Sequence, residues 1–116
     1  MSYNLFLDDE RFPRDVKWVE LPPVVWFIVR SYDEFVKLVT EKGCPNIVTF
    51  DHDLADAHYR GQESSEKTGY DCAKWLVSYC MNGETIFPKY YVHSLNPIGK
   101  ENIITYIESY KRTLKL

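Results

Sequence analysis

The sequence predicts an α/β fold in which short strands alternate with helices and pair in parallel. Three observations carry this. Four apolar runs rich in β-branched and aromatic residues read as strands, and the stretches behind them show helical spacing with caps. Three of these strands also stop abruptly in polar clusters. Strands separated by helices require crossover connections, which make the pairing parallel and lay the helices on the sheet.

The first strand is residues 3–7, ending in Asp8, Asp9, Glu10 and Arg11. Residues 12–23 carry three prolines without periodicity and read as an ordered surface connection, with a short extended piece at 16–19. Residues 24–29 (VVWFIV) form a continuous apolar run, the pattern of a buried strand. Ser31 opens a helix, with Glu34 three residues later completing a capping box and Gly43 as its stop. Residues 46–50 (NIVTF) are a second buried strand, ending in Asp51, His52 and Asp53. Residues 54–67 form a long polar loop whose length calls for a functional explanation. Thr68 and Asp71 make another capping box, behind which Gly69, Cys72, Ala73, Leu76, Val77 and Cys80 share one helical face up to Gly83. Residues 89–92 (KYYV) are the last strand and finish in His93 and Ser94. Asn96 and Pro97 cap a final helix with Ile103, Ile104, Ile107, Tyr110 and Leu114 inward. The reading is β-loop-β-α-β-α-β-α, a single domain over residues 1–116.

Composition narrows the function. At 45% hydrophobic and 27% charged residues the chain is globular, and 14 Lys and Arg against 17 Asp and Glu leave a net charge of −3. That argues against a general nucleic-acid coat, double-stranded DNA included, which needs a broad basic surface, and leaves room for a small basic pocket that takes one phosphate end. No apolar run has the length of a membrane span and the N-terminus lacks a signal pattern, so no membrane partner is expected. Cys44, Cys72 and Cys80 have no CxxC spacing and read as reduced core thiols of a cytoplasmic protein, or of a host cytoplasm if a virus or mobile element encodes it. Gly61, Gly69 and Gly99 do not form a phosphate-binding glycine-rich loop, which excludes P-loop and dinucleotide-type binding.

In a parallel sheet the carboxyl ends of the strands share one edge, where ligands bind. Three polar clusters distant in sequence therefore become neighbours. Carboxylates gathered in this way either take up protons or hold a divalent cation, and oxygen ligands suit Mg²⁺, Mn²⁺ or Ca²⁺ better than zinc. Asp8, Asp9, Asp51 and Asp53 are the candidate metal ligands. His52 and His93 each follow a strand on that edge and are candidates for proton transfer or for completing a metal shell. His58, in the long loop, is read as structural. Ser94 either holds a phosphoryl oxygen or caps its turn. Arg11 either clamps a phosphate or pairs with Asp9 or Glu10, and Arg30 faces the same two readings. Tyr70, Trp75, Tyr90 and Tyr91 can stack a base or serve as core.

The runs LFLDDERFP (residues 5–13), VTFDHDL (48–54), TGYDCAKWL (68–76) and VHSLNPIG (92–99) together resemble the cyclic-phosphate-processing receiver-like domain, a variant of the response-regulator receiver fold. The resemblance spans nearly the whole chain. It implies a truncated, flavodoxin-like three-layer fold with a four-stranded parallel sheet in the order 2-1-3-4 and helices on both faces. It also matches Asp8 and Asp9 to the acidic pair that holds Mg²⁺ in receivers, Asp51 to the phosphoryl acceptor and Ser94 to the hydroxyl after the fourth strand. The sequence departs from receivers in lacking a fifth strand with its signalling lysine, and in carrying His52, Asp53 and His93.

Three functions follow as expectations. The first is a metal-dependent phosphoesterase, with Mg²⁺ or Mn²⁺, that opens a cyclic phosphate on an RNA end or a nucleotide. Here Asp51, His52 and His93 are catalytic and Arg11, Arg30 and Ser94 bind substrate. In that scheme one histidine activates water and the other protonates the departing ribose oxygen, so His93→Ala abolishes turnover with the fold intact. The second is a phosphoacceptor module using Asp51. The third is a non-catalytic domain that binds a nucleotide or a protein.

Overall fold

A computed structural model describes residues 2–54 and 67–114. The loop expected at 54–67, with His58 and Gly61, falls almost wholly outside the described residues. The elements run in the order β1 (Asn4–Leu7), a 3₁₀ turn (Pro13–Asp15), β2 (Phe27–Val29), α1 (Tyr32–Lys42), β3 (Ile47–Phe50), α2 (Gly69–Asn82), β4 (Lys89–Val92) and α3 (Pro97–Thr113). The four strands form one parallel sheet in the order β2-β1-β3-β4, the order the receiver resemblance implies.

The crossovers from β2 to β3 and from β3 to β4 move in the same direction across the sheet. Right-handed connections place both helices on the same face. Leu5, Leu7, Val48, Phe50 and Val92 point to that face and join Phe35 and Val39 of α1, Leu76 and Cys80 of α2, and Ile103 and Ile107 of α3 in one buried cluster. Helix α2 packs between α1 and α3. The other face carries no α-helix among the described residues, so helices do not cover both faces as expected. Its cover is the connection from residue 8 to 26, whose only helical turn is the 3₁₀ turn. Phe6 points to this face and is fully buried, with the rings of Trp26 and His93 beside it.

Two local expectations change. Leu114, expected on the inner face of the last helix, follows its end at Thr113 and is exposed, while residues 16–19 run without strand pairing after an extended Val16. The run 24–29 yields only three paired residues, and Val25, Phe27 and Ile28 are exposed. A continuous apolar run implies burial on both faces, but β2 is an edge strand, with β1 as its only neighbour among the described residues. Its apolar side chains work locally, Trp26 against Phe6 and Phe27 against Tyr3.

The caps form largely as the sequence indicates. Thr68 and Asp71 bond each other's backbone N–H, and Asn96 Oδ1 accepts from Gly99 N. Ser31 accepts from Glu34 N, but Glu34 Oε1 accepts from Arg30 N instead of completing the box at Ser31.

The ladder continues one residue past the strands. Asp8 N donates to Val29 O at 3.1 Å, Asp51 N to Leu7 O at 3.0 Å and His93 N to Phe50 O at 3.0 Å. Residues 8, 51 and 93 therefore stand abreast. Helix α2 starts very close to this edge. Gly69 N donates to His52 O at 2.7 Å, and a Cβ on Gly69 would fall 1.6 Å from the Asp51 carbonyl oxygen. Gly69→Ala is expected to cost about 3 kcal/mol or more in urea unfolding, despite the better helix propensity of alanine. Gly83→Ala, whose added carbon meets nothing nearer than 3.2 Å, should stay within about 1 kcal/mol. Equal costs would contradict this packing.

Candidate active site at the carboxyl edge of the sheet

Asp8 sits at the centre of the edge with no solvent exposure. Its Oδ1 accepts the backbone N–H groups of Glu10 (2.9 Å) and Arg11 (2.8 Å), a turn that the short aspartate side chain favours. Its Oδ2 lies 3.0 Å from His93 Nε2 and 3.4 Å from Arg11 Nη1. Burial alone would raise its pKa. The hydrogen bonds from His93, Arg11 N and Glu10 N outweigh burial and lower it to about 2.

His93 is also fully buried. A carboxylate only accepts hydrogen bonds, so Nε2 carries the proton shared with Asp8, while Nδ1 lies 2.8 Å from Thr49 Oγ1. The ring stacks on Phe6 at 4.7 Å, and the His93 carbonyl accepts the Trp18 indole N–H at 2.7 Å. Both ring nitrogens are thus engaged inside the protein. Replacing this ring by alanine would leave a hole and a buried carboxylate short of a donor, so the packing favours destabilisation of His93→Ala over the intact fold expected from the sequence.

Asp51 is 4% exposed. Its Oδ1 accepts the His52 N–H at 2.9 Å, and its Oδ2 is 4.0 Å from Arg11 Nη1. Burial and then the negative charge of Asp8 raise its pKa to about 7, against smaller opposition from the His52 N–H and Arg11. One carboxylate of the pair holds its charge by hydrogen bonding, and the other bears the repulsion.

Asp8, Asp51 and His93 bring potential ligand atoms within 4.8 Å of one another, and because His93 Nε2 is committed to Asp8, the aspartates are the ligands this cluster has to offer. Two buried carboxylates, one of them raised by its neighbour's charge, are the chemistry that a hard divalent cation relieves, so the donor set fits Mg²⁺ or Mn²⁺. Above them opens a cleft of about 390 Å³ lined by Asp9, Glu10, Arg11, Asp51, Asp53, Leu95, Asn96 and Pro97.

The remaining residues of the edge divide between the cleft and its supports. His52 Nδ1 lies 2.9 Å from Asp53 Oδ1, and Asn96 Nδ2 lies 3.4 Å from both Asp53 oxygens. The His52 ring fits against Gly99, where a Cβ would come within 2.3 Å of it. Ser94 is buried and its Oγ accepts Asn96 N at 3.1 Å, the turn-capping alternative. Arg30 Nη1 donates to the carbonyls of Asp8 (3.1 Å) and Arg11 (2.6 Å), bracing the connection rather than lining the cleft. Arg11 is the arginine in the cleft wall. Tyr70, Trp75 and Tyr90 pack against the core cluster. Thr49, Trp18 and Asn96 complete the site without having been singled out for it. Thr49 carried a signal, a hydroxyl on a buried strand two residues before Asp51, which puts it on the same face.

The charge balance gives a stability test. The folded Asp51 carboxyl titrates near 7 and the unfolded one near 3.8, so the cost of its buried charge is absent at acid pH and grows as pH rises from the unfolded value to the folded one. The metal-free protein should lose melting temperature between about pH 4 and pH 7 from this group and level off above. Asp51→Asn should flatten that slope and melt a few degrees higher in EDTA at pH 8, since about 1 kcal/mol moves a domain of this size by roughly 4 °C. A variant that is less stable than wild type at pH 8 would contradict the assignment.

No curated protein and no solved structure matches the chain. Residues 3–109 match the cyclic-phosphate processing receiver domain, which covers all four strands and the whole edge just described. With that coverage, and with the sheet order and the edge aspartates in place, the chain belongs to the cyclic-phosphate processing receiver domain family.

Proposed function

We propose that the cleft hydrolyses a cyclic phosphodiester with the help of a divalent cation. The observation that carries this reading is the buried Asp8–Asp51 pair beneath a cleft whose wall holds Arg11. Asp9, Glu10, Asp51 and Asp53 line the cleft and would repel a phosphate unless a cation came with it. Mg²⁺ or Mn²⁺ held by Asp8, Asp9 and Asp51 would neutralise these charges, polarise the phosphoryl oxygens and make water easier to deprotonate.

The chain's own groups supply the rest. Arg11 faces the phosphoryl oxygens and offsets the charge that develops there. Asp53, held by His52 and Asn96, takes the proton from the attacking water and returns it to the departing ribose oxygen. The water oxygen bonds to phosphorus as the ring ester bond breaks, so the proton count closes. His52 stays in the mechanism through Asp53. His93 acts one step further back, by fixing Asp8. The resemblance also matches Asp51 to the phosphoryl acceptor of receivers, which makes transfer to Asp51 the second reading. A Mg²⁺-dependent phosphoryl adduct at Asp51 after incubation with acetyl phosphate would support that reading.

The test is a panel of 2′,3′-cyclic and 3′,5′-cyclic nucleotides assayed with Mg²⁺, Mn²⁺ and EDTA. Turnover should require the cation. Asp53→Asn should lower kcat by about 10²–10⁴, the range for loss of a general acid or base, and His52→Gln should fall in the same direction by less. Full activity in EDTA would remove the cation from the account, and no turnover of any cyclic phosphate would remove the reaction.

A further inference from the structure

Beside the acidic cleft lies a cluster of cations and aromatic rings that hydrolysis does not use. Arg14 and Arg30 both hold their guanidinium groups over the Phe12 ring, at 4.6 and 4.8 Å from its centroid. Arg11 lies 5.3 Å over Trp18, which links the cleft wall to this cluster. Phe12 and Trp18 are 39% and 40% exposed, unusual for large rings in a compact chain. Among the described residues, neither Arg14 nor Lys17 forms an ion pair. From Trp18 a groove of about 640 Å³ runs along the connection, with Arg14, Lys17, Glu20, Pro22 and Trp26 in its walls, two cations against one carboxylate.

Exposed rings with guanidinium groups beside them stack nucleobases, and unpaired cations next to them take the phosphodiesters between the bases. The placement matters as much as the composition. Arg11 belongs to the cleft and also to the stacking cluster, so a strand whose end is in the cleft continues naturally over Trp18 and Phe12. We propose that the surface of Phe12, Arg14, Lys17 and Trp18 is a subsite for the nucleotides preceding the reacting end, which makes the substrate a single-stranded RNA terminus carrying a 2′,3′-cyclic phosphate. This inference rests on the cyclic-phosphate reading of the cleft and extends it. A 3′,5′-cyclic mononucleotide has no neighbouring nucleotide and leaves the subsite without a ligand. A 2′,3′-cyclic phosphate needs a 2′-hydroxyl, which restricts the strand to RNA.

The test separates the two claims by reading binding and turnover independently. Fluorescence anisotropy of a labelled tetrauridylate with a 3′-phosphate is measured in Mg²⁺, with 3′-uridine monophosphate as competitor. The tetranucleotide should bind about tenfold more tightly than the mononucleotide, within the range of one base stack on an aromatic side chain. Arg14→Ala and Lys17→Ala should each remove most of that advantage and reduce the salt dependence of binding. The same variants should turn over uridine 2′,3′-cyclic phosphate as the wild type does. Equal affinity for the two ligands, or an advantage untouched by both variants, would overturn the subsite. If mononucleotide is turned over without any length effect, the chemistry stands and the subsite falls. If the tetranucleotide is held through Arg14 and Lys17 but no cyclic phosphate is opened, the subsite stands and the chemistry falls.

Discussion

The hydrogen bond from His93 to Asp8 joins the end of β4 to the end of β1 across β3, and the geometry of the whole edge follows from it. Both groups are fully buried, so neither can exchange its partner for water. The bond fixes one Asp8 oxygen while two backbone N–H groups fix the other. Phe6 beneath the imidazole and Thr49 behind it leave the ring a single orientation. The carboxylate that results stays ionised at any ordinary pH, because three donors outweigh its desolvation.

That fixed charge sets the condition of its neighbour. Asp51 faces Asp8 across β1 and β3, and the His52 N–H and the more distant Arg11 guanidinium relieve it only in part. The fold thereby holds a carboxylate in a state that stability alone would not select, which is common where a site is built for a ligand. A cation that satisfied both aspartates at once would convert this repulsion into binding. The two histidines divide the support between them, His93 for the buried aspartate and His52 for the aspartate in the cleft wall. In the proposed reaction each would act through a carboxylate, as imidazoles commonly do around metal centres.

Much of this arrangement was legible in the sequence because strand parity and parallel pairing are both local consequences of pattern. The acids after β1 and β3 and the histidine after β4 had to meet once the strands were read correctly, and α2 and α3 announced themselves through Thr68, Asp71, Asn96 and Pro97. What was not legible depends on contacts between distant segments. The run 24–29 looks buried on both faces, but an edge position leaves half of it in solvent, and nothing local encodes which strand is the edge. His93 reads as a proton carrier from its place after a strand. Only the packing of Phe6 and Trp18 reveals that it is sealed beneath the site. The role of residues 8–26 as the cover of an entire sheet face was hidden for the same reason, since prolines and isolated tryptophans carry no periodicity.

The account stands on the claim that His93 holds Asp8 in place for a cation shared with Asp51. Calorimetric titration of Mn²⁺ into the wild type and into His93→Gln tests it most directly, with folding of both proteins checked by circular dichroism. The wild type should take one ion per chain, and the variant should bind it about 10- to 100-fold more weakly, the usual loss when a partner behind a metal ligand is removed. Equal affinity in a folded variant, or no uptake by the wild type, would contradict it.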